Sequence, residues 1–144
     1  MAAGHLRPYP GVADLVHQLD SRGTLLALVT SSLKAEAELA LVTFGLAHLF
    51  RVVVTAEDVA NGKPAPDGYL LAARRLNVEP AGCIVIEDSP TGVRAAKAAA
   101  MSCVAVTNTH SPQQLHEATL IVTKLEPGCL DAMLNNKLDD SSRG

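Results

Sequence analysis

The chain has 144 residues, 48% of them apolar, which is enough for one domain with its own core. Only 3% are aromatic, with no Trp, so that core must be built from Ala, Leu and Val, and stacking of nucleic-acid bases on aromatic platforms is argued against. The net charge of −3 comes from acids and bases mixed along the chain, which leaves no basic stripe for nucleic acid or anionic lipid.

No apolar stretch approaches the ~20 residues that span a bilayer, and "MAAGHLRPYP" lacks the apolar centre of a signal peptide. Cys83, Cys103 and Cys129 are far apart and odd in number, so they read as reduced thiols rather than as a disulfide framework. The expectation is a soluble, cytoplasmic protein.

In chain order, apolar residues at 12, 15, 16 and 19 predict a helix, with Pro8 and Pro10 just upstream where a helix start tolerates them. "TLLALVT" (24–30) is a short continuous apolar run and predicts a strand buried on both faces. Leu33, Ala37, Ala40, Leu41 and Phe44 make the next helical stripe, which Gly45 stops. "RVVVTA" (51–56) is a second strand. A helix over about 66–76 carries Tyr69, Leu70, Ala73 and Leu76 on one face, with Asn77 standing in for Gly at its end. "CIVIE" (83–87) is a third strand. Ser89 as N-cap and Pro90 at the first helical position then open a helix through Ala99. "CVAVT" (103–107) and "LIVT" (120–123) predict further strands, with short helices near 111–117 and 128–134. One domain over 1–134 and a polar, frayed tail over 135–144 follow.

Strands and helices alternate, so the expected class is α/β: a three-layer, Rossmann-like core on a mostly parallel sheet. In such sheets ligands gather where strands end at their carboxyl ends. Three of those ends carry chemistry. The first run closes in Thr30, Ser31 and Ser32, either helix caps or, with the first amides of the next helix, an anion site. After the second comes "GKPAPDGY", where each proline fixes its own φ and restricts its predecessor. Lys63 in that loop is either a solvated surface lysine or an ammonium aimed at a negative ligand. The third run closes in Glu87 and Asp88. The pair either starts a helix and meets a lysine, or offers hard oxygens to a divalent cation such as Mg²⁺.

"LALVTSS", "NGKPAPDGYLLAARRL" and "VIEDSPTGVRAAKAA" resemble the second, third and fourth motifs of haloacid dehalogenase-like phosphatases, in the subgroup of β-phosphoglucomutase and phosphoglycolate phosphatase-like enzymes. "YPGVADLVHQLDSRG" resembles the return of that subgroup from its helical cap to its core, and the likeness covers about residues 8–125. It implies hydrolysis of a small phosphorylated metabolite, such as a sugar phosphate, with Mg²⁺. Thr30 and Ser31 would bind the phosphoryl group, Lys63 would neutralise its charge, and Asp88, assisted by Glu87, would hold the metal. The Glu-Asp pair favours phosphate chemistry over dehalogenation, which needs no metal.

The sequence departs from the family in one large respect. Family members carry a strand ending in Asp-x-Asp-Gly-Thr, whose first Asp attacks phosphorus, and a cap domain; these 144 residues contain neither. The expectation is therefore a truncated core with little or no turnover, or alternatively a non-catalytic module that binds phosphate, a metal or a protein. A receiver-like signalling domain fits less well, since the Lys-Pro-x-Pro loop would have no role there. The lost strand would lie between runs 24–30 and 83–87, so the gap must close directly or be filled. A strand swapped from a second copy, in a homo-oligomer, or a separate piece would fill it. Two smaller points concern single residues. Ala100 stands where the family commonly has Gly, which strains the turn if φ there is positive. His110 reads as a loop histidine, and the five histidines show no metal-ligand spacing.

Overall fold

The alternating pattern is realised in a computed structural model of the chain, which describes residues 11–126, 128–131 and 133–134. Pro8, Pro10 and the tail over 135–144 lie outside the described residues. Helix α1 (Val12–Ser21) leads into β1 (Ala27–Val29), α2 (Lys34–Thr43), β2 (Val52–Val54) and α3 (Asp67–Leu76). Then follow β3 (Ile84–Glu87), α4 (Pro90–Ala98), β4 (Ser102–Val106) and β5 (Leu120–Val122). Every strand pairing among the described residues is parallel, as continuous apolar runs lead one to expect.

Local chemistry sets the helix ends. Ser89 caps α4, its side chain accepting from the Gly92 amide at 3.1 Å, and Pro90 occupies the first turn where its missing N–H costs nothing. Asn77 ends α3 in the left-handed region at φ 58°, and Gly45 turns the chain after α2 at φ 68°. Ala100, just beyond α4, has φ 60°, so a Cβ is carried where glycine is favoured. The stretch expected to be helical over 111–117 consists of turns instead: Pro112 supplies no N–H, and Gln114 Oε1 takes the Ser111 amide at 3.0 Å, competing with a helical ladder. Over 128–134 a helical bond runs from the Leu134 amide to the Leu130 carbonyl at 2.9 Å.

Side chains alternate across the strands with period two. Val85, Cys103 and Ala105 pack with Tyr69 and Ala73 of α3 and with Val93, Ala95 and Ala96 of α4. Ile84, Ile86, Val104 and Val106 meet Leu15 and Leu19 of α1 on the other face. Small alanines let α4 approach closely: Ala95 and Ala96 are fully buried. Helices thus cover both faces, giving the expected three layers.

The sheet itself is divided. Among the described residues, β1 pairs with β2 and β3 pairs with β4 and then β5, and no backbone hydrogen bond joins β1 to β3. Direct closure of the gap, one of the expected outcomes, does not occur among the described residues. Burial reflects this. β4, paired on both edges, is buried from Cys103 to Val106, whereas all three residues of β1 are only half-buried, contrary to the expectation of a strand buried on both faces. Backbone parity shows which groups face the gap. Leu26 C=O and Thr30 N–H bond toward β2, so the N–H and C=O of Ala27 and Val29 point away from it. Cys103 C=O and Thr107 N–H bond toward β5, and the β3–β4 register then turns Ile84 and Ile86 toward the gap.

Candidate active site

Lys63 joins the two halves of the sheet at their carboxyl ends. Its Nζ donates to the Val29 carbonyl, the last of β1, at 3.3 Å, and forms an ion pair with Glu87 at the end of β3. The carbonyl it takes is one of those turned toward the gap. The loop between the 3₁₀ turn at Ala56–Asp58 and α3 delivers the lysine, and the Lys63–Pro64 peptide is cis. The lysine side chain is 18% exposed and that of Glu87 6%, so this pair is screened little by water.

Glu87 is saturated with donors. Oε1 accepts from Lys63 and from the Tyr69 hydroxyl of α3. Oε2 accepts from the Asp88 amide at 3.3 Å and the Ser89 hydroxyl at 3.4 Å. A buried carboxylate needs such a set of partners to stay charged. Gly92, one turn into α4, leaves the space in which it sits.

Thr30 and Ser31 border the same region. A cavity of about 360 Å³ is lined by Val29, Thr30, Ser31, Thr55, Lys63 and Tyr69, among others, so two of the three candidate strand ends open on one volume. Thr30 Oγ1 accepts the Ser32 amide at 3.1 Å, the local turn that Ser and Thr favour. The first helical amide of α2, from Lys34, is taken by Glu57 Oε1 at 3.2 Å, so part of the expected amide anion site already has a carboxylate on it. Beside the cavity, Thr55 and Asp58 form a capping box: the Thr55 amide donates to Asp58 Oδ2 at 2.8 Å and the Thr55 hydroxyl at 3.0 Å. Those two bonds hold the Asp58 carboxyl below its ordinary value, more than partial desolvation raises it.

Asp88 lies on the other side of Glu87, held by the loop after β4. Thr109 Oγ1 donates to its Oδ2 at 3.1 Å, and His110 Nδ1 lies 3.1 Å from its carbonyl oxygen. The structure therefore brings Lys63 to Glu87 and to the end of β1, and Lys63, Thr30 and Ser31 to one cavity. It directs Glu87 to Lys63 and Tyr69, and Asp88 to Thr109. Burial pushes the Cys103 thiol up to about 12, the Glu87 charge adding to this and Lys63 offsetting it, as fits an inert core thiol. All three cysteines are free.

The donor set can be tested against Mg²⁺. That ion takes six oxygens in near-octahedral array. Among the described residues no group of three or more His, Cys, Asp or Glu is placed to share a metal, and both Glu87 oxygens accept from protein donors. Asp88 alone is a suitable hard ligand, so the described residues do not complete a magnesium site.

Sequence reasoning did not connect Tyr69, Gly92 or Thr109 to the site, and it read His110 as a loop histidine. Tyr69 was legible only as part of an apolar helical face, although a hydroxyl on such a face calls for a buried partner. Gly92 lies five residues after Glu87, a spacing that shows nothing until helix α4 folds back over the strand end. Among the described residues, no helix is long and apolar enough to cross a membrane.

Comparison with known proteins agrees with this architecture. Residues 1–106 match the sequence model of the family described as haloacid dehalogenase-like hydrolase. Validoxylamine A 7'-phosphate phosphatase of Streptomyces hygroscopicus subsp. limoneus is 45% identical over 115 residues, 80% of this chain and 54% of that protein. Fructose-1-phosphate phosphatase YqaB of Escherichia coli (strain K12) is 42% identical over 106 residues, 74% of this chain and 55% of that protein. The crystal structure of CbbY from Rhodobacter sphaeroides in complex with phosphate superposes with a TM-score of 0.72 at 32% identity, covering 80% of this chain and 53% of that one. A β-phosphoglucomutase from Clostridium difficile superposes with a TM-score of 0.75 at 27% identity, covering 94% and 58%. The chain thus spans about half the length of the relatives it matches. A divided parallel sheet with a lysine bridging its strand ends, and a sequence match over 106 of 144 residues, lead to one conclusion: this chain belongs to the haloacid dehalogenase-like hydrolase family.

Proposed function

We propose that this chain is the phosphate-binding part of a Mg²⁺-dependent phosphohydrolase acting on small phosphorylated metabolites in the cytoplasm, and that these residues alone give negligible turnover. Thr30 and Ser31 donate hydroxyl hydrogen bonds to the phosphoryl oxygens, and Lys63 offsets their charge. Asp88 would be the carboxylate that holds the metal, whose chemistry when bound would be to neutralise charge on the transferring group. Glu87 orients Lys63 toward the phosphoryl group. The observation that carries this reading is the placement of Lys63, half-buried at the junction of two strand ends and lining the cavity that Thr30 and Ser31 share. The activities for which the relatives are named, phosphatases of validoxylamine A 7'-phosphate and of fructose 1-phosphate, support the substrate class.

Turnover fails for a chemical reason. Covalent phosphoryl transfer needs an acceptor carboxylate, and the Asp-x-Asp-Gly-Thr segment does not occur in these residues. Among the described residues the facing edges of β1 and β3 pair with no strand, which supports a strand supplied from a second copy or from another segment. The alternative, a non-catalytic phosphate-binding module, is favoured by the engagement of both Glu87 oxygens within the protein.

Orthophosphate titration followed by ³¹P NMR, alongside an assay with an aryl phosphate and Mg²⁺, tests the proposal. Saturable binding that weakens about tenfold or more in Lys63→Ala, without turnover, is expected. Absence of binding in the native chain would refute it. Turnover lost in both Lys63→Ala and Asp88→Ala would instead reveal an active enzyme with another nucleophile.

A further inference from the structure

The loop after β4 brings two residues to Asp88 that play no part in the proposal above. Thr109 Oγ1 donates to Asp88 Oδ2 at 3.1 Å. A hydroxyl has one proton, so toward His110 Nδ1, 2.9 Å away, the same oxygen can only accept. The Asp88 carbonyl, 3.1 Å from that nitrogen, can also only accept. Both neighbours of Nδ1 therefore require an N–H there.

We infer that Thr109 and His110 are positioning residues for Asp88, with the neutral His110 ring held in the tautomer that carries its proton on Nδ1. The two contacts act on different parts of Asp88. Thr109 fixes the carboxylate, and His110 fixes both the Thr109 hydroxyl and the peptide carbonyl of Asp88. The end of β3 is thereby tied to the loop after β4, and the carboxylate cannot swing without breaking the Thr109 contact. The functional consequence, an Asp88 pre-set for a phosphate and its cation, rests on the reading proposed above; the tautomer does not.

Two measurements test it on the full chain. The first is two-bond ¹H–¹⁵N NMR of ¹⁵N-histidine-labelled protein above about pH 8, where an ordinary imidazole is neutral. His110, identified by the signal lost in His110→Gln, is expected to show protonated Nδ1 and unprotonated Nε2. The reverse pattern overturns the inference. In Asp88→Ala the Thr109 hydroxyl loses its acceptor, but the backbone carbonyl of residue 88 still accepts from Nδ1, so protonated Nδ1 is expected there too. Asp88→Asn, whose Oδ1 still accepts, keeps the pattern. Loss of protonated Nδ1 in Asp88→Ala overturns the role given to the carbonyl.

The second measurement is orthophosphate binding in the presence of Mg²⁺. Thr109→Val is expected to weaken it about tenfold, and Thr109→Ser, which restores the hydroxyl, to stay within about twofold of native. Equal affinity for native and Thr109→Val overturns the positioning role. If the native chain binds no phosphate, the functional proposal falls and the tautomer measurement alone decides this one.

Discussion

Gly92 and Glu87 exclude one another's growth: a Cβ at Gly92 would occupy the position of the Glu87 carboxylate. That carboxylate is no free side-chain end that could step aside, because Lys63, Tyr69, Ser89 and the Asp88 amide all donate to it. Gly92→Ala should therefore expel or distort a buried charged group and cost about 3 kcal/mol, although alanine favours the helix. Urea denaturation of the two proteins measures this. A loss below about 1 kcal/mol would mean that Glu87 relocates freely.

The divided sheet makes a residue-by-residue prediction. Amides of Ala27, Val29, Ile84 and Ile86 point into the gap, while those of Leu28 and Val85 bond to neighbouring strands. Hydrogen exchange followed by NMR should find the first group exchanging about a hundredfold faster than the second. Equal protection would show that the gap is filled in solution.

At Ala100 the left-handed backbone carries a Cβ that is exposed and packs little. Ala100→Gly should stabilise the chain by about 1 kcal/mol, the strain relieved exceeding the entropy that glycine adds to the unfolded state. A thermal melt suffices: a midpoint unchanged or lowered would contradict the φ of 60°.

Acid should weaken the Thr55–Asp58 capping box. The folded Asp58 carboxyl titrates below its ordinary value of 3.8, so its contribution is complete above that pH and fades as pH falls through the lower folded value. Asp58→Asn, which cannot titrate, should be the less stable protein at neutral pH. The difference should vanish in acid. A gap between the two that persists at pH 2 would show that charge is not what Asp58 contributes.

The sequence alone determined the order and type of the main elements, because continuous apolar runs, helical stripes and the signals at Ser89, Pro90, Gly45 and Asn77 are local chemistry. It also isolated Thr30, Lys63, Glu87 and Asp88 as residues that close or follow buried strands. Only the tertiary structure decided how these are used. That Glu87 turns to Lys63 and Tyr69, that Gly92 makes room for it, and that Thr109 and His110 hold Asp88 all depend on which residues the packed elements bring together. The turns over 111–117 show the converse: side-chain bonds within that short stretch outweighed its helical pattern. Local propensity is written in neighbouring residues, whereas the partner of a buried charge is set by whichever donors the packed layers bring within reach.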